Sequence, residues 1–522
     1  MEMMTEGAQV ARGAFWLSLG NGLGTAISAL ATILIARLLG PANYGAYSAA
    51  LALLGVFAAS ADLSLNRAAT YYISQNIVRK KNSYPYALGA IFGALISGAS
   101  FFAMVWFLSP MIATLIFNKA YLSRLFLVTA VIVFVMAINN ASRGILLGLG
   151  RMDLIGIAAI ISSIIRNTAA ISLILIGLGA FGAISGQAIG YASVMVLLLF
   201  FGLYQIKKTS GFYEDDEEFS LVIRNLYSYS IPIAVFAFAS AIFQQFYNIL
   251  AARSLSDFVY GNFSAAWMVF GASLMFPNSL ATALFPTLSK MAGVDEKAVT
   301  KNYSAAVKYA SLSLLPIAVI FMSVPDELIL FVYGPEYYMA GRFLYLFSIV
   351  LFLCIIGFGV TGPALLSLRR TKTLSAISLL SIMISYLYIT SFTRTITAYT
   401  LILGIIIMYS LITILGLAVM WHDYGARIDW ISSAKLLISA LISLATIHLV
   451  KMFITNLILS LAFSVTIGTV TYLISVSMVG VLSLDDYRNL RNYSAAIPLI
   501  GKVLTLVVET MEKLSLIIRK ST

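Results

Sequence analysis

From Phe15 to Met478 the chain alternates between long apolar runs and short punctuations of Gly, Pro, Asn and charge. Each run suits the roughly 20 residues of helix that cross a bilayer, and none shows the ten-residue alternation of a barrel strand. The pattern predicts about fourteen membrane helices, over 14–39, 43–76, 84–110, 121–149, 154–178, 182–206, 221–252, 257–291, 301–324, 338–368, 372–391, 396–421, 432–452 and 455–482. The first is read as a retained crossing. Its apolar core is too long for a cleavable signal peptide, and the "GPANYG" after it is no small-residue cleavage site.

One stretch occurs twice. "IARLLGPANYGAYSAA" (35–50) aligns without gaps on "AARSLSDFVYGNFSAA" (251–266), matching Arg37 with Arg253, Tyr44 with Tyr260, Gly45 with Gly261 and the Ser-Ala-Ala that follows. Each copy covers a helix end, a tight turn and the next helix start. Six helices separate the copies, an even number, so the repeat is parallel, and the expected architecture is two six-helix lobes related by an axis along the membrane normal. The implied layout is an N-lobe over 1–206, a linker over 207–220, a C-lobe over 221–421, two extra helices over 422–483 and an amphipathic tail over 484–522, lying on the inner leaflet or against the bundle. The motif reads mainly as packing hardware, with a cation at a helix C-terminus and a small-residue strip for close contact.

Composition agrees with a polytopic membrane protein: 522 residues, 61% hydrophobic and 10% charged. Basic residues gather at one set of loop ends, including Arg79, Lys80, Lys81, Arg151, Lys207, Lys208, Arg369, Arg370 and Lys372. The positive-inside bias therefore places both termini in the cytoplasm. It also accounts for the net charge of +12 without nucleic acid. The lone Cys354 permits no disulfide within the chain.

"IARLLGPANYGAYSAA", "ASADLSLNRAATYYIS", "SRGILLGLGRMDL" and "FPNSLATALFPTLSK", in that order and spacing, resemble Wzx-type oligosaccharide flippases. These belong to the multidrug/oligosaccharidyl-lipid/polysaccharide (MOP) superfamily, together with multidrug and toxin extruders and lipid II flippases. The resemblance covers about residues 10–420. It implies an all-α integral membrane fold with two lobes in a V around a central cavity. It also implies translocation of a polyprenyl-linked glycan from the cytoplasmic to the outer leaflet of the cell membrane. A monomer without a cofactor is expected, with H+ or Na+ as the candidate coupling ion.

Ionisable residues inside spans cost ~2.5 kcal/mol or more near a helix centre, which makes each a functional candidate. Four stand out, all in the first lobe: Asp62, Arg67, Arg143 and Arg166. Three guanidiniums against one carboxylate leave a positive interior that an anion would compensate, and a (di)phosphate fits because arginine binds phosphate oxygens in pairs. Arg67, Arg143 and Arg166 are therefore the phosphate candidates, although the first two could instead snorkel to the inner surface. Asn21, Asn139, Asn140, Gln187, Gln244, Gln245, Tyr247 and Asn248 are candidates for the glycan. Asp62 is a candidate proton or sodium site, or a partner for the nearby arginines.

Other signals carry less. "GNGLG" (20–24) lies inside an apolar helix without the Lys-Ser/Thr of a nucleotide loop and reads as a packing or flexing point. "EDDEE" (214–218) reads as a solvated charge run, and His422 and His448 lack metal-ligand spacing, so no metal is expected. The rivals are an ion-coupled drug or metabolite antiporter of the same superfamily, better suited to an acidic cavity, and a membrane glycan polymerase or glycosyltransferase, which would want a larger outer loop. No catalytic residues are expected. The glycan and the carrier, undecaprenyl or dolichyl, stay open.

Overall fold

A computed structural model describes residues 2–58, 60–210, 218–275, 296–392, 395–454, 456–495 and 501–521. Among the described residues every regular element is helical, and eleven apolar helical runs are long enough to cross a membrane. Two of these are too long for one crossing. Gly13–Ala58 has 46 residues and Met152–Thr209 has 58, roughly 70 and 85 Å of helix against a hydrocarbon core of about 30 Å.

Both runs turn at glycines. Gly40, at φ 67°, ends one helix, and Pro41 starts the next, because Pro lacks only an N–H that a first turn leaves unpaired anyway. Gly177 and Gly179, at φ 96° and 51°, turn the second run. Past that bend Gly186 lies against Ala170 and Gly190 against Arg166, so the two arms are antiparallel neighbours. The expected helix over 257–291 is described only as far as residue 275; "FPNSLATALFPTLSK" and most of "EDDEE" also lie outside the described residues.

The chain divides into two compact units, Met1–Gly261 and Asn262–Thr522. The first holds α1 (Glu2–Ala58), α2 (Leu65–Val78), α3 (Tyr84–Met111), α4 (Ser123–Gly148), α5 (Met152–Leu173), α6 (Gly179–Ser210), α7 (Phe219–Ser254) and the start of α8 (Asp257–Ser273). The first arm of α1 runs parallel to α5, with Gly20 against Gly156 and Gly24 against Ala159 and Ser163. The backbones there are so close that a Cβ on Gly20 or Gly156 would overlap the other helix. The "GNGLG" stretch is thus a packing point. The predicted helix over 43–76 is interrupted by a turn at 60–64, where Leu63 and Ser64 take positive φ.

The second unit contains α9 (Glu296–Ser323), α10 (Pro325–Tyr333), α11 (Tyr338–Phe352), α12 (Thr361–Ser367), α13 (Thr371–Phe392), α14 (Ala398–Tyr424), α15 (Trp430–Phe453), α16 (Leu457–Met478), α17 (Leu484–Ala495) and α18 (Gly501–Ser521). Its hairpins share one device. Ser385 Oγ donates to the Gly404 carbonyl at 2.6 Å, and Ser443 Oγ to the Gly468 carbonyl at 2.7 Å. Small residues let the helices approach, and a hydroxyl then ties them where lipid offers no hydrogen bonds. Cys354 is fully buried. The tail helix α18 packs against α16, with Met511 and Ser515 buried.

Candidate functional site

In the first unit, the first arm of α1 and helices α4, α5 and α6 enclose a cavity of about 350 Å³. Helical spacing builds its walls: Asn21, Thr25 and Ser28 share one face of α1, Asn139, Asn140 and Arg143 one face of α4, and Ser162, Ser163 and Arg166 one face of α5. Tyr191 of α6 completes the polar lining, and Met136, Ile155, Val194 and Leu198 supply apolar wall. No lining residue is acidic.

Arg166 is held in place by neutral groups. One guanidinium nitrogen donates to the Tyr191 hydroxyl at 2.9 Å and another to Ser28 Oγ at 2.7 Å, with the charge 5.2 Å from the Tyr191 ring centroid. Its Nε–H is buried with no hydrogen-bond partner. Arg143 projects into the cavity and, among the described residues, makes no ion pair. Asn139 donates from its amide to the Tyr191 carbonyl at 3.0 Å, while its own Oδ1 is buried without a partner. The cavity therefore presents two guanidinium groups that no carboxylate of the lining compensates. Chemically it can take an anion beside hydroxyl-bearing groups.

Of the sequence candidates, the cavity gathers Arg143, Arg166, Asn21, Asn139 and Asn140. Arg67 is on an exposed face of α2 and is not part of the lining. Gln187 is buried and donates to the Tyr47 hydroxyl at 2.9 Å, tying α6 to the second arm of α1. Gln244, Gln245, Tyr247 and Asn248 lie along α7, where Asn248 donates to Gln245 Oε1 at 2.9 Å. They too are apart from the lining. Asp62 is buried in the 60–64 turn and accepts the Asn66 backbone N–H at 2.9 Å. A carboxylate at a helix start suits the positive end of the dipole, and this contact gives Asp62 a structural task.

Thr25, Ser28, Ser162, Ser163 and Tyr191 line the cavity without having been candidates. A helical-face plot around Asn21 and Arg166 would have found the first four, since 21, 25 and 28 and then 162, 163 and 166 fall at i, i+3/i+4 spacing.

The family model described as "Polysaccharide biosynthesis protein" matches residues 34–342, more than half of the chain. The chain belongs to that family. No curated protein matches it. Among solved structures it is similar to the lipid II flippase MurJ in an inward closed conformation, with a TM-score of 0.66 and 17% identity over 88% of this chain and 98% of that one. It is also similar to an inward-facing multidrug resistance MATE family transporter of the MOP superfamily, with a TM-score of 0.63 and 15% identity over 79% and 98%. A third likeness is to a MOP superfamily transporter from Pyrococcus furiosus whose title reports reverse polarity of its binding pocket (TM-score 0.54, 16% identity, 80% and 96% covered). At these identities the likeness is one of fold, and the fold of this multi-pass membrane protein is that of the MOP superfamily.

Proposed function

We propose that the protein is a flippase that moves a polyprenyl-(di)phosphate-linked oligosaccharide from the cytoplasmic to the outer leaflet of the cell membrane, by alternating access of two lobes with both termini in the cytoplasm. The observation that carries this reading is the charge of the cavity: Arg143 and Arg166 without an acidic residue in the lining. Cationic drugs would be repelled by such a chamber. A phosphate would neutralise it and accept from both guanidiniums. The glycan would meet Asn21, Asn139, Asn140 and the hydroxyls of Thr25, Ser28 and Ser162, whereas the polyprenyl chain would stay in lipid. The family match to polysaccharide biosynthesis proteins supports the substrate class, and MurJ, a lipid II flippase, carries out such a step on the same fold.

Arg166 holds the chamber together and would hold the phosphate as well. Replacing it by Ala removes a charge, and by Lys keeps the charge but loses the fork to Tyr191 and Ser28. Glycan appearance on the cell surface is the readout, with protein level in the membrane measured alongside. Export should fall by about tenfold or more for Arg166→Ala, with Arg166→Lys intermediate. Undiminished export from Arg166→Ala at normal protein level overturns the assignment.

A further inference from the structure

A second cleft lies in the other unit, where the end of α14 turns into α15. Its apolar part, about 640 Å³, is lined by Ile414, Leu417, Trp421, Arg427 and Trp430. A polar part, about 570 Å³, is lined by Thr300, Lys301, Ser304, Tyr424, Arg427 and Asp429. The two parts share Arg427 and Ile428. Val299, Leu368, Ala426 and Ile428 belong to one buried cluster, which fixes the start of α9, the end of α12 and the α14–α15 turn at the same basic end of this unit. The result is one amphipathic cleft with a greasy slot opening beside a cationic pocket.

The charges differ in how they are partnered. Arg370 pairs with Asp423 at 2.8 Å and lies over the Tyr424 ring. Asp429 stays anionic but turns its oxygens to the Ser432 backbone N–H at 3.0 Å and hydroxyl at 2.5 Å, at the start of α15, so the polar part carries two bases against one acid. Among the described residues Lys301 and Arg427 make no ion pair. Trp421 and Trp430 are 61% and 60% exposed, and paired tryptophans of that kind sit at the headgroup level of a bilayer. Basic side chains at that depth attract acidic headgroups.

We propose that this cleft binds an anionic phospholipid, with the phosphate between Lys301 and Arg427 and the acyl chains along Ile414, Leu417 and Trp421. Charge complementarity selects the occupant: a zwitterionic lipid would fill the apolar slot equally well but would bring a cationic group beside the two bases. The lipid belongs to the inner leaflet if the orientation proposed above holds. The site itself does not depend on that orientation or on the transport reaction.

Tryptophan fluorescence of the full chain in nanodiscs tests it, with brominated phosphatidylglycerol or brominated phosphatidylcholine as quencher. The excess quenching by the anionic lipid should disappear in Trp421→Phe/Trp430→Phe, which assigns it to this cleft. In Lys301→Gln/Arg427→Gln the preference, on the order of tenfold at two basic contacts, should collapse to none, while Lys207→Gln/Lys208→Gln keeps it. Lys301→Arg/Arg427→Lys should also keep it, which separates lost charge from lost fold. Arg166→Ala should leave the preference intact, so failure of the transport reading and failure of this one are read separately. Equal quenching by the two lipids overturns the proposal, as does an excess that survives removal of both bases. Displacement by inorganic phosphate alone would show a free-anion site and overturn it too.

Discussion

Gly45 and Gly261 face each other. They hold the same place in the two copies of the repeated segment, and a Cβ on either would run into backbone of the other copy, at the Asp257 carbonyl for Gly45 and at the Pro41 carbonyl for Gly261. The duplicated wording therefore builds one contact from two matching halves. The turns inside the copies use different chemistry. The first relies on Gly40 and Pro41; in the second, Ser256 Oγ accepts the Val259 N–H at 3.4 Å and caps α8. Gly45→Ala and Gly261→Ala should each destabilise the protein by about 1–3 kcal/mol, the usual range for overpacking. Thermal unfolding in detergent measures this, with Gly271→Ala, where a Cβ meets open space, as the neutral control.

The same region is tied by charge. Lys119 pairs with Asp257 at 2.7 Å, Tyr121 donates to the same carboxylate, and Arg253 donates to the carbonyls of Leu115 and Ile116. Arg253 lies in the last turn of α7, the helix C-terminus at which it was expected, and from there its guanidinium also reaches the carbonyls that follow α3. A double-mutant cycle on Lys119→Ala and Asp257→Ala should give a coupling of about 1 kcal/mol, since the pair is partly exposed. A coupling of zero would show the contact to be incidental.

Arg143 and Arg67 offer a paired test of the chamber. Both are arginines with exposed side chains on helices of the first unit, yet only Arg143 lines the cavity. Arg143→Glu should cut glycan export by about tenfold or more, because a carboxylate would repel the incoming phosphate. Arg67→Glu should leave export within about twofold. Equal losses in both would mean that the α4 position has no special role.

Asp486 is the acid that fastens the tail. Burial pushes its carboxyl up, but donors from Lys308 at 2.6 Å, Tyr309 at 2.6 Å and the Ser483 backbone and hydroxyl at 2.8 Å outweigh it and hold the pKa at about 2. A depressed carboxyl stabilises the folded state above its unfolded value near 4, and the effect is lost as pH falls toward 2. Solvent screening keeps the contribution on the order of 1 kcal/mol. Tail release, followed by limited proteolysis after α16, should rise as pH drops through that window, and Asp486→Asn should show the release already at neutral pH.

The sequence made the helices and the repeat readable because crossing a bilayer imposes a length and excludes charge, so both leave a trace in residue order. Arg143 and Arg166 were legible for the same reason: a guanidinium inside a span has a cost that demands an explanation. Ser28 and Ser163 are not legible by themselves and become visible only by sharing a helical face with Asn21 and Arg166. A serine or threonine in a helix can satisfy its hydroxyl on the carbonyl four residues back, as Thr32 does on Ser28 at 2.7 Å, so it carries no such signal. Arg67 could not be placed by counting inward from the start of the helix, because the turn at 60–64 resets the direction in which later side chains point. Gln187 and Tyr47, both polar and both deep, satisfy each other, and nothing in one-dimensional order tells such a pair from a pair that waits for a ligand.

Cys354 is the sole cysteine of the chain and has no exposed surface. A water-soluble maleimide would therefore find the native protein silent, and a thiol introduced at any accessible position would report alone. Sidedness of each loop and opening of the arginine chamber can be followed by labelling without first rebuilding the protein.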